Sequence, residues 1–110
     1  YSPEAFLCIK KTMQAANFST LPYQNSVPSM GQWGWVLGIR EKIMPAKQLK
    51  QEVIAQKISG IETRFFNQNA MISMAYFGKG LFEKEGKIEP NTQFNHNILK
   101  YYQQGSWDLY

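Results

Sequence analysis

The sequence contains very few of the residues from which disulfides, metal sites and nucleophilic pairs are usually built. Cys8 is the only cysteine among 110 residues, so no internal disulfide can form, which is typical of a reducing compartment. Cys8 lies in an apolar helical pattern, and we expect a small buried residue. His96 is the only histidine, and one histidine far from one cysteine makes a poor metal site or catalytic pair. The single aspartate, Asp108, stands near the end of the chain, where we expect a solvated charge.

Long apolar runs are also missing. No stretch approaches the roughly 20 apolar residues that a membrane-spanning helix needs, and no signal-peptide pattern is present. We therefore expect a soluble, cytoplasmic segment without a membrane span. A glycine-rich phosphate loop, a paired acidic motif and zinc-ligand spacing are absent as well. Because the chain begins Tyr-Ser-Pro and already opens like a helix, we expect it to be a piece of a longer protein.

The charge of the chain is basic but dispersed. Twelve basic and eight acidic residues give a formal net charge of +4. The two signs alternate, as in Arg40-Glu41-Lys42, whereas a nucleic-acid footprint concentrates lysine and arginine on one face. We therefore interpret the charges as a solvated surface and expect no nucleic-acid partner.

The first element predicted is a helix over residues 2–16. Ser2 is a suitable N-cap, Pro3 fits the first helical position, and Glu4 complements the helix dipole. Asn17 is a plausible stop. The apolar positions recur at helical spacing, and they are Phe6, Ile9, Met13 and Ala16.

Three further helices are predicted after the strands. The first covers 46–58 and ends at Gly60 as a C-cap. The second covers 68–77, starts at Asn67, and is almost wholly apolar, which is typical of a buried or interface helix. The last covers 96–104, and its packing side is expected to carry Ile98, Leu99, Tyr101 and Tyr102.

The segments around this last helix give weaker signals. Residues 78–95 are rich in Gly, Lys, Glu, Asn and Pro, so we expect an irregular connection. Near the end of the chain, Trp107 and Tyr110 are expected to hold the tail against the domain.

Between the first two helices, the sequence predicts a β-hairpin. Residues 18–26 form its first strand, 27–32 its turn and 33–40 its second strand. The continuous apolar run of the second strand predicts burial on both faces. A two-stranded hairpin alone is marginally stable in water, so it needs further strands, a packed helix or a second copy of the chain.

The turn of the hairpin combines backbone-shaping residues with bulky apolar side chains. Pro28 fixes φ and removes a donor, and Gly31 permits backbone conformations that a side chain would block. Trp33 and Trp35 have the same parity and share one face of a strand. Together with Met30 they fit either the wall of a pocket or an ordinary core.

Two segments carry a resemblance to the spermidine synthases, the polyamine aminopropyltransferases. Residues 22–37, Pro-Tyr-Gln-Asn-Ser-Val-Pro-Ser-Met-Gly-Gln-Trp-Gly-Trp-Val-Leu, resemble that family's hairpin. Residues 63–77, Thr-Arg-Phe-Phe-Asn-Gln-Asn-Ala-Met-Ile-Ser-Met-Ala-Tyr-Phe, resemble its closing element. The opening Ser-Pro-Glu-Ala-Phe fits the helix that precedes the hairpin. The order of these segments is similar to the C-terminal third of the family, and the sequence is closest to a bacterial subgroup.

The resemblance implies an α/β fold. It makes the chain the C-terminal fragment of a methyltransferase-like, Rossmann-like domain, with a helix, an antiparallel β-hairpin and C-terminal helices. Residues 1–85 would then belong to the catalytic domain, and 86–110 would be a C-terminal extension with a short helix. Some members of the subgroup carry an N-terminal membrane region, so the parent protein could be membrane-attached.

The resemblance also implies a reaction. Family members transfer an aminopropyl group from decarboxylated S-adenosylmethionine, the co-substrate, to putrescine, giving spermidine and methylthioadenosine. The family's nucleotide loop and catalytic aspartates lie upstream of the helix that opens this chain. We therefore expect no catalytic residue, metal or cofactor in this fragment, which would be inactive alone.

The hairpin is where family site residues could remain. In well-known members, a tyrosine in a Thr-Tyr-Pro-Ser-Gly turn contacts the polyamine, and this sequence has Pro28 at that position. Tyr23 or Trp33 would have to replace it, and an acceptor other than putrescine is compatible with the change. The predicted substrate-binding residues are Tyr23, Pro28, Met30, Gly31 and Trp33.

A non-enzymatic alternative explains the same apolar segments. A small α+β domain could use its apolar helix and aromatic hairpin as a surface for a protein partner. In either case, a hairpin separated from its sheet leaves an unpaired edge and an uncovered apolar face. We therefore expect the isolated chain to form a homodimer.

Overall fold

A two-stranded antiparallel sheet and several short helices make up the computed structural model, which describes residues 2–57 and 60–104. This mixed α/β composition agrees with the predicted class at that level. The elements in chain order are α1 (Pro3–Ala15), β1 (Phe18–Val27), β2 (Gly31–Arg40), α2 (Ala46–Ile54), α3 (Gln68–Met74), a 3₁₀ helix (Phe82–Lys87) and α4 (Asn97–Gln103).

Helix α1 begins and ends where the sequence predicts. The Ser2 hydroxyl accepts a hydrogen bond from the Ala5 amide, and a proline occupies the first turn. At the other end Asn17 has a φ of 66°, a left-handed conformation that asparagine tolerates better than most residues and that stops a helix. The predicted helix start and stop are confirmed.

The hairpin is confirmed, with a tighter turn than predicted. The ladder runs from the Phe18–Arg40 pair to the Val27–Gly31 pair, so the strands extend beyond the predicted limits of 26 and 33. The Met30 amide donates to the Val27 carbonyl at 2.9 Å, which places Pro28 at the second position of a turn, where proline is favoured. Gly31 follows with a φ of 77°, the usual closure of a three-residue hairpin loop.

One face of the hairpin packs on α1 through glycine. A Cβ atom added to Gly34 would lie 2.7 Å from the ring of Phe6, and one added to Gly38 would collide with the end of Met13. The absence of side chains at these two positions lets the helix approach the strand closely. Val36, between the two glycines, packs against the core cluster.

The predicted burial of β2 on both faces is wrong. On the face opposite α1, Trp35 is 42% exposed and Leu37 is 43% exposed. Helices α2 and α3 pack mainly against β1, so they leave much of the second strand exposed on that side. The apolar side chains of β2 therefore lie on two different faces: Val36 packs against the core, and Trp35 and Leu37 are exposed.

The core lies between α1, α4 and the segment before α4. Leu7 and Cys8 have no exposed surface, and Ile88 and Tyr101 complete the buried cluster with Ala5 and Phe6. The expectation that Cys8 is buried is confirmed. Residues after position 85 thus contribute to the same core as α1, while the predicted division of the chain at 85 stays a prediction.

Helices α2 and α3 are shorter than predicted. Helix α2 ends at Ile54, so Gly60, although it has a φ of 75°, does not cap it, and that prediction is wrong. Helix α3 ends at Met74, short of the predicted 77. Its predicted start is confirmed, because the Asn67 side chain accepts a hydrogen bond from the Ala70 amide at 2.8 Å.

The predicted packing side of α4 is confirmed for Tyr101, which is buried, and for Ile98, which packs against the core cluster, and it is wrong for Leu99 and Tyr102. Helix α4 is a seven-residue helix in which Asn97 and Tyr101 are buried, one turn apart. Leu99 is exposed and so is Tyr102, because the buried stripe at spacing i, i+4 directs these two positions away from α1. The connection at 78–95, predicted to be irregular, contains the 3₁₀ helix.

Some predictions concern residues outside the described ranges. These are residue 58, at the end of the helix predicted over 46–58, and the roles expected for Trp107, Asp108 and Tyr110.

Candidate functional site

Three aromatic side chains lie in a row on the open face of the hairpin, and we call them the aromatic ladder: Tyr23, Trp33 and Trp35. Tyr23 pairs with Trp35 across the strands. Their rings are nearly parallel, with an interplanar angle of 12° and centroids 6.3 Å apart. The ring centroid of Trp33 lies 6.5 Å from that of Trp35, and the planes of the two rings are tilted by 50°. The predicted shared face of the two tryptophans is confirmed.

A hydrogen bond fixes the central ring of the ladder. The indole Nε1–H of Trp35 donates to Oδ1 of Asn25 at 2.7 Å. Because Asn25 lies opposite Trp33 in the register, the bond runs diagonally across the strands. It satisfies the indole donor and holds the ring in one orientation on a surface that is otherwise apolar.

An apolar pocket of about 240 Å³ continues from one end of the ladder. Tyr23 belongs to both the ladder and the pocket, and Val53 and Met71 contribute from the α2 and α3 side. Typical ligand cavities hold about 300–1,000 Å³, so this pocket is smaller than most, and its apolar lining suits a small or linear group. The full lining is Leu21, Tyr23, Leu37, Val53, Phe66, Met71, Met74 and Ala75.

The turn end of the hairpin is braced by side-chain amides. Gln32 donates to Gln24 at 2.6 Å, and Gln24 donates in turn to the carbonyl of Tyr76 at 3.1 Å. Ser26 donates to Gln32 at 3.2 Å. These bonds connect both strands to the segment that follows α3, which limits how far the turn can move.

The structure separates the predicted substrate-binding residues into two groups. Tyr23 and Trp33 lie on the ladder, whereas Pro28, Met30 and Gly31 form the exposed turn. Four residues separate Tyr23 from the end of β1, which is about 13 Å at the rise of a strand. The sequence reasoning missed Asn25 and left Trp35 out of the site, although hairpin register and strand parity point to both.

The hairpin carries no acidic residue between positions 18 and 40. Within the described ranges, no group of three or more histidine, cysteine, aspartate or glutamate side chains could hold a metal ion. Burial raises the pKa of the Cys8 thiol, partly opposed by hydrogen bonds with Thr12 and Asn91, and this thiol lies in the core on the α1 side. The hairpin therefore offers aromatic faces, side-chain amides and the Tyr23 phenol, and no carboxylate, imidazole or thiol.

Among the described helices, none has the length and the apolar content that crossing a bilayer would require.

Several curated proteins similar to this chain are named polyamine aminopropyltransferase. The chain is 24% identical over 106 residues to polyamine aminopropyltransferase 2 of Ralstonia nicotianae, which covers 94% of this chain and 18% of that protein. It is 28% identical over 103 residues to polyamine aminopropyltransferase 2 of Aquifex aeolicus, which covers 93% of this chain and 18% of that protein.

The chain resembles the polyamine aminopropyltransferases along nearly its whole length. A third relative, the polyamine aminopropyltransferase of Oceanobacillus iheyensis, is 25% identical over 112 aligned positions that span all of this chain and 20% of that protein. The predicted family resemblance is thereby confirmed. The chain spans about a fifth of the length of these aminopropyltransferases. No family model and no solved structure matches it.

Proposed function

We propose that this chain is the C-terminal part of the catalytic domain of a polyamine aminopropyltransferase. The observation that carries the proposal is that proteins of that name align with 93–100% of the length of this chain. The parent protein would transfer an aminopropyl group from decarboxylated S-adenosylmethionine to putrescine or a related amine. Its fold would be methyltransferase-like, with β1 and β2 as the last two strands of the sheet, and its compartment would be the cytoplasm.

The geometry of the hairpin supports a role on the amine side of this reaction. The apolar pocket of about 240 Å³ suits an unbranched methylene chain. An attacking amine must lose a proton, and a carboxylate is the group that usually accepts it. Since residues 18–40 contain no carboxylate, that group would come from outside the hairpin. The chain would be inactive alone because it spans only about a fifth of the length of its relatives.

A chimeric enzyme tests the proposal. The aligned stretch of the Ralstonia nicotianae aminopropyltransferase is replaced by this chain, and the release of methylthioadenosine from decarboxylated S-adenosylmethionine and putrescine is measured. A second chimera carries the equivalent stretch of the Oceanobacillus iheyensis protein as a control for grafting. We expect both chimeras to be active and the 110-residue chain alone to be inactive. An active control beside a folded but inactive test chimera would contradict the proposal.

We also propose that the isolated chain forms a homodimer through the outer edge of β2. Within the described residues no strand pairs with that edge, and residues 31–39 contain neither charge nor proline. Natural edge strands are usually protected by such residues. Two copies of β2 could pair antiparallel, which would leave the aromatic ladder on the open face of a four-stranded sheet.

Light scattering coupled to gel filtration tests the dimer. We expect a particle of twice the chain mass of 12.7 kDa. Leu37→Lys places a charge on the exposed face of β2 without altering the ladder and should give the monomer mass, while Leu99→Lys on exposed α4 should leave the dimer intact. A monomeric wild-type chain at high concentration would refute the pairing. If the isolated chain forms this dimer and the chimera that contains the chain is inactive, the two results together would favour a non-enzymatic interaction domain.

A further inference from the structure

We propose that a second cavity, beside the middle of β1, binds a small aromatic carboxylate whose charged end pairs with Lys50. We call this site the edge cavity. Its volume is about 360 Å³, which lies within the 300–1,000 Å³ of typical ligand cavities. The proposal concerns this chain alone and does not depend on the proposed function, since no substrate or partner of the parent enters the argument.

The edge cavity lies away from the turn of the hairpin. Thr20 and Pro22 of β1 line it, and they precede the end of that strand by seven and five residues, which is about 16–23 Å at the rise of a strand. Leu21 and Ala75 line both this cavity and the pocket beside the ladder, whereas Tyr23 lines only that pocket. The edge cavity is therefore a neighbour of the pocket and separate from the ladder and the turn.

Aromatic side chains form much of the apolar part of the edge cavity. Phe77 and Phe82 line it and meet edge to face, with ring centroids 5.0 Å apart and an interplanar angle of 77°. Phe77 also stacks on Phe6 of α1, which anchors this side of the cavity in the packed interior. Tyr76 is 54% exposed and Phe82 is 37% exposed. A ligand with a flat apolar body would cover the exposed part of these rings.

Lys50 gives the edge cavity one positive charge, and no aspartate or glutamate lines it. Within the described ranges the ion pairs are formed by Lys10 and Lys84, and not by Lys50. The positions one turn away from Lys50 along α2, which are 46, 47, 53 and 54, are not acidic either. Its Nζ atom lies 4.2 Å from the ring centroid of Tyr76, which holds the ammonium at the cavity with its N–H donors available to an anion.

The lining and the charge together indicate the class of ligand. The aromatic rings favour a flat apolar body, and the ammonium of Lys50 favours a negative charge at one end of it. Phosphate and polyanions are usually held by several cations or by a cluster of backbone amides, whereas one lysine matches a single carboxylate. An aromatic ring with a short carboxylate side chain satisfies both conditions.

Three ligands with the same ring and different charges test the proposal. Phenylacetate, phenylacetamide and phenethylamine are titrated at pH 7 and constant ionic strength into the ¹⁵N-labelled 110-residue chain. We expect phenylacetate to shift the backbone amide signals of Lys50, Tyr76 and Phe77 saturably. Phenylacetamide should bind about two- to fivefold more weakly, the equivalent of roughly 0.5–1 kcal/mol for a partly exposed ion pair, and phenethylamine more weakly still. Equal affinities of the three ligands, or no saturable shift from phenylacetate, would overturn the proposal.

Substitutions of lysine test the ion pair. Lys50→Gln should lower the affinity for phenylacetate to that for phenylacetamide and leave the affinity for phenylacetamide unchanged. Lys50→Arg, which keeps the positive charge, should retain the preference for phenylacetate. Lys57→Gln removes an exposed lysine that does not line the cavity, and this matched control should bind like the wild type. An unchanged affinity for phenylacetate in Lys50→Gln would contradict the role of Lys50.

Filling the edge cavity tests its location. Ala46 is an exposed residue at the start of α2 that lines the cavity, so Ala46→Phe adds a ring there without removing a core side chain. It should abolish the binding of phenylacetate and of phenylacetamide. Gln48→Phe adds the same ring to an exposed position of α2 outside the cavity and should bind both. If circular dichroism shows that Ala46→Phe is unfolded, Lys50→Gln decides. Undiminished binding by a folded Ala46→Phe would overturn the proposal.

Discussion

The contact between Gly34 and Phe6 makes a quantitative prediction about stability. The ring of Phe6 is buried, and its Cδ1, Cγ and Cε1 atoms lie 2.7, 3.0 and 3.1 Å from the place a Cβ of residue 34 would take. A methyl group at that place cannot be accommodated unless the ring or the whole of α1 moves. Gly34→Ala therefore overpacks the interface between the helix and the hairpin.

The size of the effect follows from two opposing contributions. Overpacking a well-packed core costs about 1–3 kcal/mol. Replacing glycine by alanine in a strand recovers roughly 0.5–1 kcal/mol of backbone entropy. The net loss in the free energy of unfolding should be about 0–2.5 kcal/mol, which corresponds to a fall in the melting temperature of up to roughly 10 °C for a domain of this size.

Urea unfolding followed by circular dichroism measures this loss, and two other glycines serve as controls. A Cβ at Gly38 would collide with the flexible end of Met13 and would otherwise make only ordinary contacts with Phe18, and one at Gly78 would meet nothing within 4 Å. The loss should therefore decrease from Gly34→Ala to Gly38→Ala to Gly78→Ala. Combining Gly34→Ala with Phe6→Leu should cost less than the sum of the single changes. Equal losses at Gly34 and Gly78, or strict additivity with Phe6→Leu, would refute the close packing described here.

Three further predictions concern caps and titration. Ser2→Ala removes the N-cap of α1 and the hydroxyl that donates to the Tyr101 carbonyl, and it should lower the free energy of unfolding in urea by about 1–2 kcal/mol. Asn67→Ala removes the cap of α3 and should lower it by about 1 kcal/mol, whereas Asn67→Asp should retain most of it. Burial raises the pKa of Cys8, so above pH of about 8.5 the unfolded chain loses the thiol proton first and stability falls as pH rises. The free energy of unfolding of Cys8→Ala should fall less above this pH than that of the wild type. An equal fall in both proteins would contradict the raised pKa of Cys8.

Features written in local sequence were predictable. The caps at Ser2 and Asn67 follow from side chains that accept from nearby amides. The hairpin follows from Pro28 and Gly31, which favour a turn whatever surrounds it. The shared face of the ladder follows from strand parity alone. None of these features needs knowledge of distant contacts.

Features that depend on tertiary contacts between helices and strands could not be predicted from short stretches of sequence. The apolar run of β2 does not reveal that α2 and α3 pack mainly against β1, so the exposure of Trp35 was missed. Gly60 has the backbone conformation of a cap, but α2 had already ended. For α4, the predicted packing side was right for Ile98 and Tyr101 and wrong for Leu99 and Tyr102, because only the tertiary contact decides which side of so short a helix is covered.

The hydrogen bond from Ser2 to Tyr101 joins residues 99 positions apart at 2.9 Å. Closing a loop of that length costs roughly 4 kcal/mol of chain entropy. At about 5–20 residues per second on the ribosome, α1 would be synthesised roughly 5–20 s before the residue that completes its packing. The hairpin can cover the Phe6 side of α1 during that interval, but the part of α1 that packs on Tyr101 would stay uncovered until α4 is made.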